Sequence, residues 1–301
     1  MDYLEKNHRL TNIRFYYDDL LRFSDYMPVH DKEGKDTLWL NVYYPEFEHA
    51  EIEANLNKIY TLLHSDGDVD VLPFLKVDSI HFCTFGNSKP FRIRVRNILN
   101  DNYTNFYIKK ADASRIYGLE LEEILSPNRI NFLLYKDTLI EEHILGIPGD
   151  VFIEKHLDQC SPQEKAQIAK EFVKFNERCL IGLLGDMRSY NYVVIPAHDF
   201  DQVVYRIRPI DFDQQCYEGN LKIYLPQYFK ENKKMVEMVY DRLKPNSIEQ
   251  YRKEVRSAIA KRASTDGRLP HLLEIMKRDE ISKPEHVEEL KAGLHKLTYS
   301  I

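Results

Sequence analysis

The sequence predicts an α+β protein of two lobes, a small antiparallel sheet followed by a mainly helical part, with an N-terminal extension ahead of both. Three observations predict it. Between Val77 and Leu145, short runs of strand-forming residues are separated by turn formers. From Ser161 the apolar spacing is mostly helical, and Gly146-Ile147-Pro148-Gly149 breaks the chain between the two patterns. With 301 residues, 43% of them hydrophobic, each lobe has enough chain to bury a core of its own. The expected divisions are 1–75 for the extension, 76–148 for the sheet lobe and 149–301 for the helical lobe.

Composition narrows the function. The formal net charge is -6 with 30% charged residues, so no strong basic field invites nucleic acid or an anionic membrane surface. No apolar run is long enough to span a bilayer, and Met1-Asp2-Tyr3-Leu4-Glu5-Lys6 lacks a secretory apolar core, so the expectation is a soluble cytoplasmic protein. The cysteines Cys83, Cys160, Cys179 and Cys216 stand far apart, which suits reduced thiols rather than a disulfide framework or zinc. No His-x-x-x-His pair stands beside a carboxylate, so a zinc hydrolase is not indicated.

In chain order, Thr37 to Tyr44 reads as a strand. Ala50 to His64 reads as a helix, because Ile52, Leu56, Ile59, Tyr60 and Leu63 recur at helical spacing before the stop Ser65-Asp66-Gly67-Asp68. Ser79 to Phe85 is a strand, Gly86-Asn87-Ser88-Lys89-Pro90 a turn, and Phe91 to Arg96 a strand that alternates apolar and basic residues. Thr104 to Lys109 is the next strand. Ala113 to Leu125 is a helix whose apolar face includes the carboxylate Glu120, with Glu123 at its edge and Glu122 pointing away. A carboxylate turned inward requires a cation. Lys109 is the candidate, with Lys110 the alternative if the strand register shifts by one.

Ile130 to Tyr135 and Thr138 to Leu145 read as a further strand pair. Ser161-Pro162-Gln163-Glu164 starts a helix with a capping box and proline in its first turn, and the helix runs to about Gly182. Gly185-Asp186-Met187-Arg188-Ser189-Tyr190-Asn191 follows, then the apolar run Tyr192 to Ile195, a polar hairpin, and a second apolar run ending in Pro209-Ile210-Asp211-Phe212-Asp213. Carboxylates and an amide at the ends of paired strands suit a divalent cation held against phosphate oxygens. Beyond Asp213, helices are expected over Glu231 to Leu243, Ser247 to Ala263, Leu269 to Lys277 and Pro284 to Leu297.

Asp186 to Asn191 resembles the catalytic loop of protein kinases and aminoglycoside phosphotransferases, in which an aspartate is followed five residues later by an asparagine. Ile210-Asp211-Phe212-Asp213 resembles their metal-binding motif. The resemblance extends over about Val77 to Gly219 and implies a bilobal protein-kinase-like fold, with ATP and Mg²⁺ as cofactors and a hydroxyl-bearing acceptor, protein or small molecule. By the same resemblance Asp186 orients the attacking hydroxyl and Arg188 reaches the transferring phosphate. Asn191 and Asp211, with Asp213 beside them, hold the metal. Lys109 meets the non-transferred phosphates, Glu120 fixes Lys109, and Gly86, Asn87 and Ser88 cover the nucleotide. The chain departs from the pattern in having no Gly-x-Gly-x-x-Gly, no histidine before Gly185, Asp213 in place of glycine and no Ala-Pro-Glu. Those departures keep two alternatives open: a catalytically inactive kinase fold that binds nucleotide or a partner, and an AMP transferase.

Overall fold

The strand patterning and helix caps of the sequence are realised in a computed structural model that describes residues 2–199, 202–216, 220–279 and 281–299. Gly219, where the resemblance ends, lies outside the described residues. The chain forms two compact units, Met1–Ala111 with Asn131–His143, and Asp112–Ile130 with Ile144–Ile301.

The first unit contains helices α1 (Asp2–Lys6), α2 (Tyr17–Leu20) and α3 (Glu46–His64). Its strands are β1 (Asp25–His30), β2 (Asp36–Tyr43), β3 (Leu75–Cys83), β4 (Phe91–Asn97), β5 (Asn102–Lys110), β6 (Phe132–Tyr135) and β7 (Thr138–Glu142). They make one antiparallel seven-stranded sheet in the order β1-β2-β3-β4-β5-β7-β6. Alternation decides its faces: Phe91, Ile93 and Val95 of β4 enter the core with Ile80, Phe106, Ile108 and Ile140. Helix α3 covers that face with Ile52, Leu56, Ile59 and Leu63, the residues whose spacing predicts it.

Residues 1–75 therefore differ from the expected separate extension. β1 and β2 continue the sheet, and α3 packs Ile52, Leu56, Ile59 and Leu63 into its core, because an amphipathic helix and a two-stranded ribbon have no other apolar surface on which to bury their faces. The residues between β5 and β6 differ too, since α4 (Ala113–Leu125) is part of the second unit.

The second unit also holds β8 (Ile147–Pro148), α5 (Gly149–Val151), α6 (Pro162–Gly182), β9 (Tyr192–Asp199) and β10 (Gln202–Pro209). Helices α7 (Lys233–Arg242), α8 (Pro245–Thr265), α9 (Arg268–Arg278) and α10 (Pro284–Tyr299) complete it. Helix α4 has the bounds its sequence predicts: the Asp112 side chain accepts a hydrogen bond from the Arg115 amide at 2.8 Å and satisfies an orphan donor of the first turn. The capping box of α6 closes both ways, Ser161 N to Glu164 Oε2 at 2.8 Å and Glu164 N to Ser161 Oγ at 3.2 Å. Strands β8, β9 and β10 form a small antiparallel sheet, with Tyr192 opposite Pro209 at the base of the β9–β10 hairpin. The fold class is thus α+β, an antiparallel-sheet unit and a mainly helical unit. Among the described residues no helix is long and apolar enough to cross a membrane.

Candidate active site

The loop after α6 is fixed by its own backbone. Leu183 enters the left-handed region at φ 50° and ends the helix, and the amide of Gly185 then donates to Gln214 O at 3.0 Å. Asp186 is left-handed as well, at φ 53°, a conformation that aspartate tolerates better than most residues. Its amide donates to Ile223 O at 3.1 Å, and its carbonyl accepts from the Arg188 amide at 2.8 Å and from Asn191 Nδ2 at 2.8 Å. Asn191 Nδ2 also lies 3.5 Å from Asp186 Oδ2. The spacing of five that the motif shows in sequence is therefore a closed turn in which the asparagine amide fixes the aspartate. With the amide nitrogen committed, Asn191 Oδ1 is the atom left to face a cation.

The hairpin brings the second motif to the first. Since Tyr192 pairs with Pro209, Asn191 stands beside Ile210, whose amide donates to Asn191 O at 3.0 Å, and Asp211 follows directly. Phe212 turns inward, 2% exposed, against Gly118 of α4. A Cβ at Gly118 would lie 2.8 Å from Phe212 Cβ, so only glycine lets the helix approach this closely. Ser114 Oγ donates to Asp213 O at 2.9 Å and tethers the same segment to the start of α4.

Charge is concentrated here. Arg115 Nη2 is 3.6 Å from both Asp211 Oδ1 and Asp213 Oδ2, while Nη1 donates to Asp112 Oδ2 at 2.5 Å. Burial and then the neighbouring Asp211 charge push the Asp213 carboxyl up to about 6, against the opposing pull of Arg115. Arg188 Nε donates to Asp186 Oδ1 at 2.8 Å and Nη1 to Glu231 Oε1 at 3.0 Å, with the guanidinium 5.1 Å from the Phe229 ring centroid. Asn191, Asp211 and Asp213 offer the hard oxygen donors that Mg²⁺ takes, and the repulsion from Asp211 that adds to burial in raising Asp213 is what a divalent cation relieves, so the residues fit that ion. Among the described residues no group of three or more His, Cys, Asp or Glu is arranged for a metal.

The remaining sequence candidates lie as follows. Lys109 is the buried lysine of its strand, 8% exposed, whereas Lys110 is on the surface near Asp18 and Asp137. Lys109 takes its counter-charge from Glu141 of β7 at 2.5 Å, because Lys109 is registered with Leu139 and a residue two further on shares the face. Glu120 is indeed wholly buried, and Arg268 approaches it at 3.9 Å while lying 3.2 Å from Glu123. Gly86, Asn87 and Ser88 form the β3–β4 turn, in which Gly86 is left-handed at φ 81° with open space around it.

Sequence reasoning missed Arg115, Glu231 and Asn232. Asn232 is fully buried beneath the loop: Nδ2 donates to Met187 O at 3.0 Å and Pro226 O at 2.8 Å, and Oδ1 accepts from Tyr192 OH at 2.9 Å. Only the Asp112/Arg115 spacing of three carried a local signal, that of a helix-cap pair. The reach of Arg115 to Asp211 and Asp213 spans about a hundred residues of chain and had none.

No protein-family description matches the chain, and no curated protein matches it. Among solved structures it is similar to an ethanolamine kinase of Plasmodium vivax, with 12% identity, a TM-score of 0.30, and coverage of 79% of this chain and 87% of that one.

Proposed function

We propose that this chain is a phosphotransferase that moves the terminal phosphoryl group of ATP to a hydroxyl of a small molecule or protein. The observation that carries the proposal is the gathering of Asp186, Asn191 and Asp211 at the base of one hairpin, with Asn191 hydrogen-bonded to Asp186 and Asp211 two residues past the strand end that pairs with Tyr192. Phosphoryl transfer asks little covalent chemistry of a protein and depends on alignment and on fixed charge. Asp186 is assigned the acceptor hydroxyl: the hydroxyl oxygen bonds to phosphorus as the bond to the departing diphosphate breaks, and the carboxylate orients or takes the proton. Arg188, held by Asp186 and Glu231, is assigned the transferring phosphoryl oxygens, which its planar fork suits. Mg²⁺ held by Asn191, Asp211 and Asp213 would offset charge on the phosphate oxygens. Lys109 and the turn residues Gly86, Asn87 and Ser88, all of the first unit, keep the nucleotide-contacting role that the resemblance implies, with Glu141 rather than Glu120 beside Lys109.

ATP labelled at either the gamma or the alpha phosphate, incubated with the protein, Mg²⁺ and a panel of hydroxyl metabolites and proteins, tests the proposal. Transfer of the gamma label, absent in Asp211→Ala, is the expected result. Transfer of the alpha label would make the chain an AMP transferase instead. A second reading, a nucleotide-binding protein without catalysis, is favoured by one observation: Arg115 already supplies a positive charge to Asp211 and Asp213. Nucleotide binding with neither label transferred would select it.

A further inference from the structure

The face of the seven-stranded sheet turned away from its core carries a row of polar groups. Cross-strand register aligns Asn41, His81, Arg92, Tyr107 and Glu141 across β2, β3, β4, β5 and β7. Groups aligned in this way stand within side-chain reach of one another. Arg92 is the centre of the row. Its guanidinium carbon lies 4.6 Å from the ring centroid of Trp39, and Nη2 donates to His81 Nδ1 at 3.2 Å. The neighbouring cations on this face have carboxylates: Asp78 for Arg94 at 3.5 Å, Asp101 for Arg96 at 2.6 Å and Glu141 for Lys109 at 2.5 Å. Among the described residues Arg92 has no carboxylate within ion-pair distance.

The two imidazoles near Arg92 are neutral at pH 7. Burial, then Arg92 and Arg94, pull His81 down to about 4, and burial followed by Arg92 lowers His143, whose ring lies 5.6 Å from that of Tyr107. A half-buried guanidinium without a counter-charge is costly unless something else supplies one. Contact with Trp39 and hydrogen bonds to His81 and Tyr107 hold the guanidinium, and its remaining N–H donors can meet oxygens on one phosphorus or carbon.

We infer that Arg92 anchors an oxyanion site on this face, taking the phosphate or carboxylate group of a small ligand against Trp39, His81 and Tyr107. A ligand with a second phosphate extends toward Lys109, two residues beyond Tyr107 on the same strand and face. Lys109 is shared with the nucleotide role given to it above, whereas Arg92, Trp39, His81 and Tyr107 have no part in the proposed phosphotransfer.

Trp39 is the chain's single tryptophan, so its emission reports this site directly. The intact protein is titrated with inorganic pyrophosphate in the absence of divalent cations, which keeps the readout independent of any transfer reaction. A saturable change in Trp39 emission is expected. Arg92→Gln weakens binding by roughly tenfold or more, the scale of a lost charge-assisted hydrogen bond. Arg96→Gln, at a surface pair, leaves it within about twofold. Arg92→Lys keeps the charge but not the fork and falls between them, which preserves the test if Arg92→Gln does not fold. Parallel titrations with succinate, ATP and adenosine identify the source: pyrophosphate without succinate selects phosphate ligands, succinate without pyrophosphate selects carboxylates, and ATP tighter than pyrophosphate with adenosine silent selects a nucleotide's phosphates. No saturable change with any oxyanion, or equal affinity in Arg92→Gln and the wild type, overturns the proposal.

Discussion

The turn at Gly86 and the loop at Asp186 each place a residue in the left-handed region, and they are held in opposite ways. Gly86 has φ 81° and nothing within 4 Å of the place a Cβ would occupy. Asp186 has φ 53° and is held through its amide, its carbonyl and its carboxylate by Ile223, Arg188 and Asn191. A left-handed non-glycine residue persists only where its surroundings over-determine it, and such positions cluster where geometry serves chemistry. The difference teaches that the loop is built for position and the turn for adaptability.

The largest expected effect comes from removing a charge at the rigid end. Asp211→Ala lowers gamma-phosphate transfer by roughly 10³-fold or more, the scale lost with a group that stabilises transition-state charge, whereas Asn87→Ala in the exposed turn stays within about tenfold. Initial rates of labelled transfer check both, and equal losses would erase the contrast between loop and turn.

Backbone substitutions sharpen the same contrast. A Cβ at Gly149 would meet Tyr192 Cε2 and the carbonyl oxygen of Ser189. Gly149→Ala therefore destabilises the protein by about 3 kcal/mol or more through overpacking beneath the loop. Gly86→Ala meets only left-handed strain and costs about 1–2 kcal/mol. Urea unfolding midpoints separate the two. Asn232→Ala strands Tyr192 OH and the carbonyls of Met187 and Pro226, a loss of about 1–3 kcal/mol, and lowers kcat more than it raises KM if the loop's position serves catalysis.

Acid acts with opposite signs in the two units, as a gradual slope rather than a single loss. His81 has a folded pKa of about 4 against an ordinary 6.5, so between those values the unfolded chain binds more protons. Its contribution is present above pH 6.5 and is lost as pH falls toward 4. Asp213 is raised from 3.8 to about 6, so the folded chain binds more protons in that window, and its contribution is lost as pH rises through it. Each slope is at most about 1.4 kcal/mol per pH unit. Thermal melts between pH 4 and 7 should show His81→Gln removing the first slope and Asp213→Asn the second, while Mg²⁺ should suppress only the second.

Much of this was legible locally. Helix α4 has the bounds its sequence predicts, the capping box starts α6 where expected, and the inward turn of Glu120 follows from helical phase. The strands β3 to β7 follow from alternation and turn chemistry, with ends displaced by a few residues where pairing decided them. Strand β1 was not legible: its edge residues are exposed on both faces, so no alternation marks it. The motif loop was readable because an aspartate and an amide five residues apart close a turn within one short stretch.

The sequence by itself determined the repeating elements, the placement of acid and amide in the loop, and the polar alternation of β4, because each depends on residues within a turn or two of one another. Only the tertiary structure decided which charges meet: Arg115 with Asp211 and Asp213, Lys109 with Glu141, Asn232 beneath Met187, and Arg92 without a carboxylate. Charge and hydrogen-bond partners are chosen by proximity in space, and residues far apart in the chain become neighbours only after strand register and helix packing have been set.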